Sequence, residues 1–593
     1  MIEETYRARL AERQAELTSC ERADLLLGRA RLGLIAATFG IPLMGGFGLA
    51  TWSLVPLLLF GLVVVFHTKR LDDLRRARAS VAFYEAGLAR LRHEWIGRGE
   101  TGESFRSAEH PYADDLDVFG RGSLFELLAT TRTRAGQATL ARWLLEPADP
   151  DEIHARQAAV RELAPLLDLR EAMAVLGETV EVGVDASTLR AWATAPITLR
   201  GWSLRLLPAA LTTALVALAA FIVGTWSLTL TELRAIVALV LAESAVALWL
   251  RPRVVPVVHG LDQPTRDLAL LSSVLEKIER EHFESPRLVA IQQALGGKET
   301  ASREIARLDR IATLLASRSN LMFALPAAML LWATHFAFAI EAWRDRTGRH
   351  VPVWLDAVGE FEALAALATF SAEHPGYIFP DVDRRLAGIA GTAIAHPLLA
   401  DDAVPNDLVL GGQGPSLFIV SGSNMSGKST WLRAIGINVV LASAGAPVRA
   451  SSFRLAPHQV GAAMRAADSL VDGRSHFMAE ITRLKLVVDL ARAHPGRTLF
   501  LLDEVLGGTN SHDRRHGAEG LLDGLLELGA VGLVTTHDLA LGALADRFGS
   551  RAENVHFEDS FDGLHLSFDY RIRPGIVRTS NAIALMKSIG LDV

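Results

Sequence analysis

Between Ser421 and Thr430 the chain reads Ser-Gly-Ser-Asn-Met-Ser-Gly-Lys-Ser-Thr, and Gly422 to Ser429 fits the phosphate-cradling spacing G-x-x-x-x-G-K-[ST]. Glycines at 422 and 427 let the backbone curl so that successive N–H groups face an anion, and a helix starting at once behind them adds its positive end. Lys428 is placed to reach the β- and γ-phosphates of a nucleoside triphosphate, and the Ser429 hydroxyl to ligate Mg²⁺. Gly422, Ser423, Asn424, Met425, Ser426, Gly427, Lys428, Ser429 and Thr430 are therefore the expected nucleotide-binding residues.

Two later stretches supply what a phosphate cradle alone lacks. Leu499-Phe-Leu-Leu ends in Asp503-Glu504, the pattern of a central parallel strand with acids at its carboxyl end, where ligands bind in such sheets. Asp503 suits a Mg²⁺ ligand acting through water, and Glu504 suits the group that orients or deprotonates an attacking water. The next apolar run, Val531 to Val534, ends in Thr535-Thr536-His537, and a histidine there can hydrogen-bond a γ-phosphate. Glu504, Lys428 and His537 form the expected catalytic set.

A strand–loop–helix unit followed by two such strands calls for an α/β sheet, expected over residues 381–593 beyond Pro375 and Pro380. What precedes it reads as helical. Residues 1–31 are Arg-rich and amphipathic. No charge falls between Leu32 and Phe66, and Pro42, Gly45, Gly46 and Gly48 interrupt that run, which suggests a hairpin of two spans over 32–68, turning near 46–53. A charged helical linker follows over 69–109, and amphipathic helices are expected at Gly122–Leu145 and Pro150–Leu167. A second apolar pair, Leu206 to Leu230 and Ala235 to Leu250, makes a second hairpin over 206–250. Arg200, Arg205, Arg251 and Arg253 at its open end and Lys69 and Arg70 at that of the first put both ends on the cytoplasmic side. Leu321 to Ile340 is apolar enough to imitate a fifth span, but His335 within it favours a buried core helix, and Asp356 to Ser371 reads as a further amphipathic helix. The net charge of -7 excludes a generally basic nucleic-acid coat, and the single Cys20 excludes an internal disulfide or a thiolate metal cluster. A mean hydropathy of +0.25 is high for a soluble chain and comes from the two apolar blocks.

The order of P-loop, acidic strand and histidine strand resembles that of ABC-class ATPases, and Asn424-Met425 inside the loop is similar to the MutS mismatch-repair family. Further matches fall in the same order: His396-Pro397, Val404-Pro-Asn-Asp407, Ser475-His-Phe-Met-Ala-Glu480, Asp503-Glu504 with Gly507-Gly-Thr-Asn-Ser511, Thr536-His537, and Tyr570 to Gly575. Asp117-Val-Phe-Gly120, Ser123-Leu124-Phe125 and Arg156-Gln157 resemble the start of that family's helical core, so 110–200 and 261–380 are expected to be core and lever helices. Two positions depart from the family pattern: Leu506 stands where a glycine is usual, and His476 where threonine is. The resemblance implies ATP and Mg²⁺ as ligands and Asn406 on the adenine side. It also implies a homodimer in which Ser475, Phe477, Met478 and Glu480 complete the partner's site. DNA, mismatched or otherwise structured, is implied as a ligand, although there is no room for the family's mismatch-reading domains and the apolar hairpins occupy the space instead. Phe83-Tyr84-Glu85 matches that family's mismatch-reading element only in residue types and is read as coincidence.

The fold expected from all this is α + α/β: a helical core domain with two transmembrane hairpins, followed by an ABC-class P-loop ATPase domain. The expected function is that of a membrane-anchored ATPase, held in the inner membrane by about four spans with its ATPase domain in the cytoplasm, coupled to DNA. A membrane-tethered switch acting on protein partners is the alternative. An ABC transporter is disfavoured, because no L-S-G-G-Q stretch lies between the P-loop and Asp503.

Overall fold

The computed structural model describes residues 2–45, 52–178, 186–226, 228–259, 265–296, 300–320, 323–464, 476–507, 511–537, 539–561 and 566–577. The first two helices, α1 (Ile2–Gly45) and α2 (Leu54–Leu91), lie against each other along their length. Each runs straight through a boundary expected from the sequence, at 31/32 and at 68/69. A change from polar to apolar side chains leaves the backbone hydrogen-bond ladder untouched, so nothing there ends the helix. Part of the expected turn, 46–51, lies outside the described residues. At the base of the pair Tyr6, Phe83, Tyr84 and Leu88 form a small core of their own, so Phe83 and Tyr84 serve packing.

The helical core follows: α3 (Leu124–Leu128), α4 (Arg134–Leu145), α5 (Pro150–Leu163), α6 (Leu167–Glu178) and α7 (Ala186–Thr194). The single helix expected at Gly122–Leu145 is thus two. Ser123 caps α3 by accepting from Glu126 N, and Thr133 caps α4 by accepting from Gly136 N, so the chain restarts its ladder between them. The second hairpin is α8 (Trp202–Thr225) and α9 (Leu230–His259), and the core resumes with α10 (Thr265–Arg280), α11 (Pro286–Leu295), α12 (Ala301–Ala316), α13 (Ala324–Met329), α14 (Trp332–Thr347) and α15 (Val351–Glu373). The apolar run expected as one helix over Leu321–Ile340 breaks at Leu331, whose φ of 47° cannot continue a right-handed helix. From Ala337 onward one side of α14 is buried, with Ala337, Phe338, Ile340, Glu341, Trp343, Arg344 and Thr347 facing inward, as a core helix should be. The helix expected as amphipathic at Asp356–Ser371 is the centre of the core: α15 is buried on nearly all sides, with α4, α5, α7 and α11 packed against it. Among the described residues α2, α8 and α9 are long and apolar enough to cross a membrane; the first of the four expected spans runs into 46–51, outside the described residues.

From Asp381 the chain is α/β, in the order β1 (Asp381–Val382), β2 (Ile389–Ile394), β3 (Asn406–Leu410), β4 (Leu417–Ser421), α16 (Lys428–Ala444), β5 (Ser452–Leu455), β6 (Gln459–Ala463), α17 (His476–Ala493), β7 (Thr498–Leu502), α18 (Ser511–Glu527), β8 (Val531–Thr536), α19 (Leu539–Gly542), α20 (Leu544–Phe548), β9 (Ala552–Phe561) and β10 (Leu566–Pro574). A small sheet runs β1-β5-β2-β3, and a six-stranded sheet runs β10-β9-β4-β8-β7-β6, parallel except for β10. Strands β4, β7 and β8 are buried at every position, as their continuous apolar runs require once helices cover both faces. Side chains alternate between the two faces. Phe418, Val420, Leu499 and Leu501 join the core shared with α16 and the helical domain, while Leu417, Ile419, Phe500 and Leu502 pack with α17, α18 and α20.

Candidate nucleotide site

The P-loop links the end of β4 to the start of α16, and three residues in it take left-handed backbone: Gly422 at φ 151°, Met425 at 67° and Gly427 at 105°. The glycines are needed for space as well as for φ. A Cβ at 422 would sit 2.8 Å from Ser426 Oγ and 3.1 Å from Phe557 O, and one at 427 would sit 3.1 Å from the Tyr570 ring. Lys428 Nζ donates to the carbonyls of Gly422 and Ser423, both at 2.9 Å, so the ammonium lies inside the curl of the loop. Burial pushes it below the ordinary lysine range, and the negative field of Glu504 and Asp503 pulls it back up. The hydroxyls of Ser423 and Ser426 are buried and have no partner among the described residues. A curled backbone, a buried ammonium and two orphaned hydroxyls fit a polyphosphate.

The acids reach this loop across one intervening strand. β8 lies between β4 and β7, with Val420 beside Thr535, Ser421 beside Thr536, and Leu502 beside Val534. That register brings Thr535 level with Asp503. Its hydroxyl donates to Asp503 Oδ1 and accepts from Glu504 N at 3.0 Å, so one threonine fixes both acids. Glu504 takes a φ of 50°, a turn that leaves its side chain exposed, and its Oε1 lies 3.6 Å from His537 Nδ1. The structure therefore brings together Lys428, Asp503, Glu504 and His537, which stand far apart in the chain. Ser429 and Thr430 open α16 beside them, and Asn424 and Met425 form the loop's exposed tip.

Other expected site residues sit differently. Asn406 on β3 is buried, and its amide is spent on β10: Nδ2 donates to Tyr570 O at 2.9 Å, and Oδ1 accepts from Ile572 N at 2.8 Å. It clamps the strand that carries Tyr570, a half-exposed ring at φ 54° set against the P-loop. Sequence reasoning gave Tyr570 and Thr535 no role of their own. For Thr535 the signal was there, a polar residue in an otherwise apolar buried strand; for Tyr570 no local spacing shows the contact. Of the expected signature, Ser475 lies outside the described residues. Phe477 packs against the core behind the sheet, Met478 is exposed, and the buried Glu480 accepts from Leu506 N just after the acids. Leu506, at a position where the resemblance led one to expect glycine, takes a left-handed turn at φ 57° and buries its side chain against α18.

Residues 418–592 match the model of MutS domain V, and residues 108–189 that of MutS domain III. A protein called DNA mismatch repair protein MSH3 in Phaeosphaeria nodorum is 34% identical over 248 residues, 40% of this chain and 21% of that protein. DNA mismatch repair protein MutS of Natronomonas pharaonis is 34% identical over 240 residues, 40% of this chain and 27% of its own. The chain thus spans about a fifth to a quarter of the length of these relatives. The domain V match holds the P-loop, Asp503, Glu504 and His537, and the domain III match opens the helical core beneath them, so these parts of the chain are similar to the MutS family.

Proposed function

We propose that this chain is a membrane-anchored MutS-like ATPase, closing as a homodimer around ATP and coupling that closure to mismatched or otherwise structured DNA. The observation that carries the reading is the convergence of Lys428, Asp503, Glu504 and His537 at one end of the six-stranded sheet. The loop amides, Lys428 and the orphaned serines would hold the phosphates, and Tyr570 offers a ring face beside the loop. Ser429 and Asp503 would hold Mg²⁺, which neutralises charge on the phosphate oxygens when bound. Glu504 orients a water and accepts its proton, and His537, 3.6 Å away, steadies that carboxylate. In the dimer the start of α17, with Ser475, Phe477, Met478 and Glu480, would complete the partner's site.

The apolar lengths of α2, α8 and α9, with arginines at the open end of each hairpin, support an inner-membrane anchor and a cytoplasmic ATPase domain. DNA as the ligand rests on the names of the relatives.

The test is ATP binding and turnover by the full chain and two variants. Lys428→Ala should lose nucleotide affinity, and turnover should fall at least about 100-fold. Glu504→Gln should keep binding, lose turnover to a similar degree, and shift the protein to dimers in ATP. Wild-type affinity and turnover in Lys428→Ala would end the reading. Equal turnover with and without duplex DNA at low salt would remove DNA and leave the switch acting on protein partners.

A further inference from the structure

The overall charge is negative, yet one cleft is lined by six arginines. It has a volume of about 1530 Å³ and lies between the lower part of α2, the turns at 95–105, and α4, α7 and α15. Arg90, Arg98, Arg132, Arg134, Arg142 and Arg190 line it, against three carboxylates, Glu100, Glu126 and Asp356. Two of those acids are already committed. Glu126 accepts from the backbone N–H groups of Gly97 and Gly122, both at 2.6 Å, and Asp356 pairs with Arg190. Arg90 is paired with Glu373 on α15. Arg134 and Arg142 have no carboxylate partner among the described residues, and both are exposed.

Arg134 and Arg142 stand eight residues apart on α4, on one face and about 12 Å from each other along the helix. That span is too long for a single phosphate group and suits successive phosphates of a polymer. The volume also exceeds the roughly 300–1,000 Å³ of ordinary small-molecule pockets. Phe105, half-buried, adds aromatic surface to the same lining. A lipid headgroup is a poor occupant on the anchor proposed above. The apolar part of α2 ends at Phe66, and 24 residues of helix to Arg90 put the cleft about 36 Å from it.

We infer that this cleft takes the phosphate backbone of a nucleic acid, with Arg134 and Arg142 as the principal contacts. The inference rests on the DNA-coupled reading above and gives it a place on the molecule. The arginines come from positions 90 to 190 of the chain, so only the fold assembles them.

The test uses the full chain in detergent and measures anisotropy of a labelled duplex and a labelled single strand across a salt series. The variants are Arg134→Gln/Arg142→Gln and the charge-keeping Arg134→Lys/Arg142→Lys. The glutamine pair should bind at least about tenfold more weakly near 50 mM salt, with the salt slope reduced by about two, and the lysine pair should restore both. ATP turnover without nucleic acid should match wild type in both. Undiminished affinity in the glutamine pair would overturn the cleft while leaving DNA binding elsewhere. No binding of either nucleic acid by wild type would overturn the cleft and the DNA reading together. Competition by polyglutamate as effective as that by duplex, at equal charge, would overturn nucleic acid in favour of an acidic protein tail.

Discussion

Leu506 shows how one side chain can sit against the local rule and still be held. A leucine at φ 57° carries a left-handed cost of about 1–2 kcal/mol that glycine would not. Its N–H is taken by Glu480 from α17, its carbonyl accepts from Arg514 Nε of α18 at 3.1 Å, and its side chain fills space beside Gly517. Emptying that space should cost about 2–5 kcal/mol, as for other buried leucines. The packing loss outweighs the relieved strain, so Leu506→Gly should destabilise the ATPase domain by about 1–3 kcal/mol, read as an earlier unfolding midpoint in urea. A more stable glycine variant would show that strain, not packing, dominates at this turn.

At the scale of elements, α17 ties the site to the segment that leads into the helical core, alongside the packing of α16 on that core. Glu480 and Arg483, almost one turn apart, hold different neighbours. Glu480 holds the segment after the acids. Arg483 pairs with Asp115 and donates to the carbonyls of Ala108 and His110, at 3.0 and 2.9 Å. Asp115, only 1% exposed, also accepts from Met464 N at 2.8 Å. Removing the cation leaves a buried carboxylate short of its partner, so Arg483→Met should cost about 3–5 kcal/mol and open the 106–114 segment to protease, with Asp115→Asn costing less. Equal digestion rates for wild type and Arg483→Met would refute the tether. The sequence announced α17 through its motif but not this joint, because the two partners are 368 residues apart and nothing in either stretch specifies the other. The P-loop and the acidic strand were legible because their chemistry is written in contiguous residues. The split between α3 and α4 was also written, in the caps Ser123 and Thr133, but an amphipathic pattern running past them hid it.

At the scale of the whole molecule, the misreading of α15 and the response to acid share a cause. Glu360 and Glu362 lend the stretch Asp356–Ser371 its amphipathic look, yet Glu362 accepts from Thr133 N and Oγ1 and Glu360 from Arg287, and Glu373 just beyond accepts from Arg90. Polar residues are buried here because distant elements supply their partners, and composition cannot show that. Histidines are withdrawn from solvent in both parts of the chain, and His374, His396 and His458 have hydrogen-bond partners from nearby in sequence. Burial holds His110, His374 and His458 below the ordinary range, and His396, flanked also by Arg433 and Arg449, is pushed down to about 4. With a folded value below the unfolded one, near 6.5, each is neutral in both states above about pH 7 and contributes no pH dependence there. As pH falls below 6.5 the unfolded chain takes up protons that the folded chain refuses, so stability drops until about pH 4 for His396. Burial raises Glu362, which works the other way and offsets part of the loss as it protonates. The unfolding midpoint should therefore fall between pH 7 and pH 5, and His396→Gln should flatten that fall by roughly 2 kcal/mol at pH 5, since each tenfold weakening of proton affinity on folding is worth about 1.4 kcal/mol. Parallel pH profiles for wild type and His396→Gln would show that His396 does not set the acid limit of the fold.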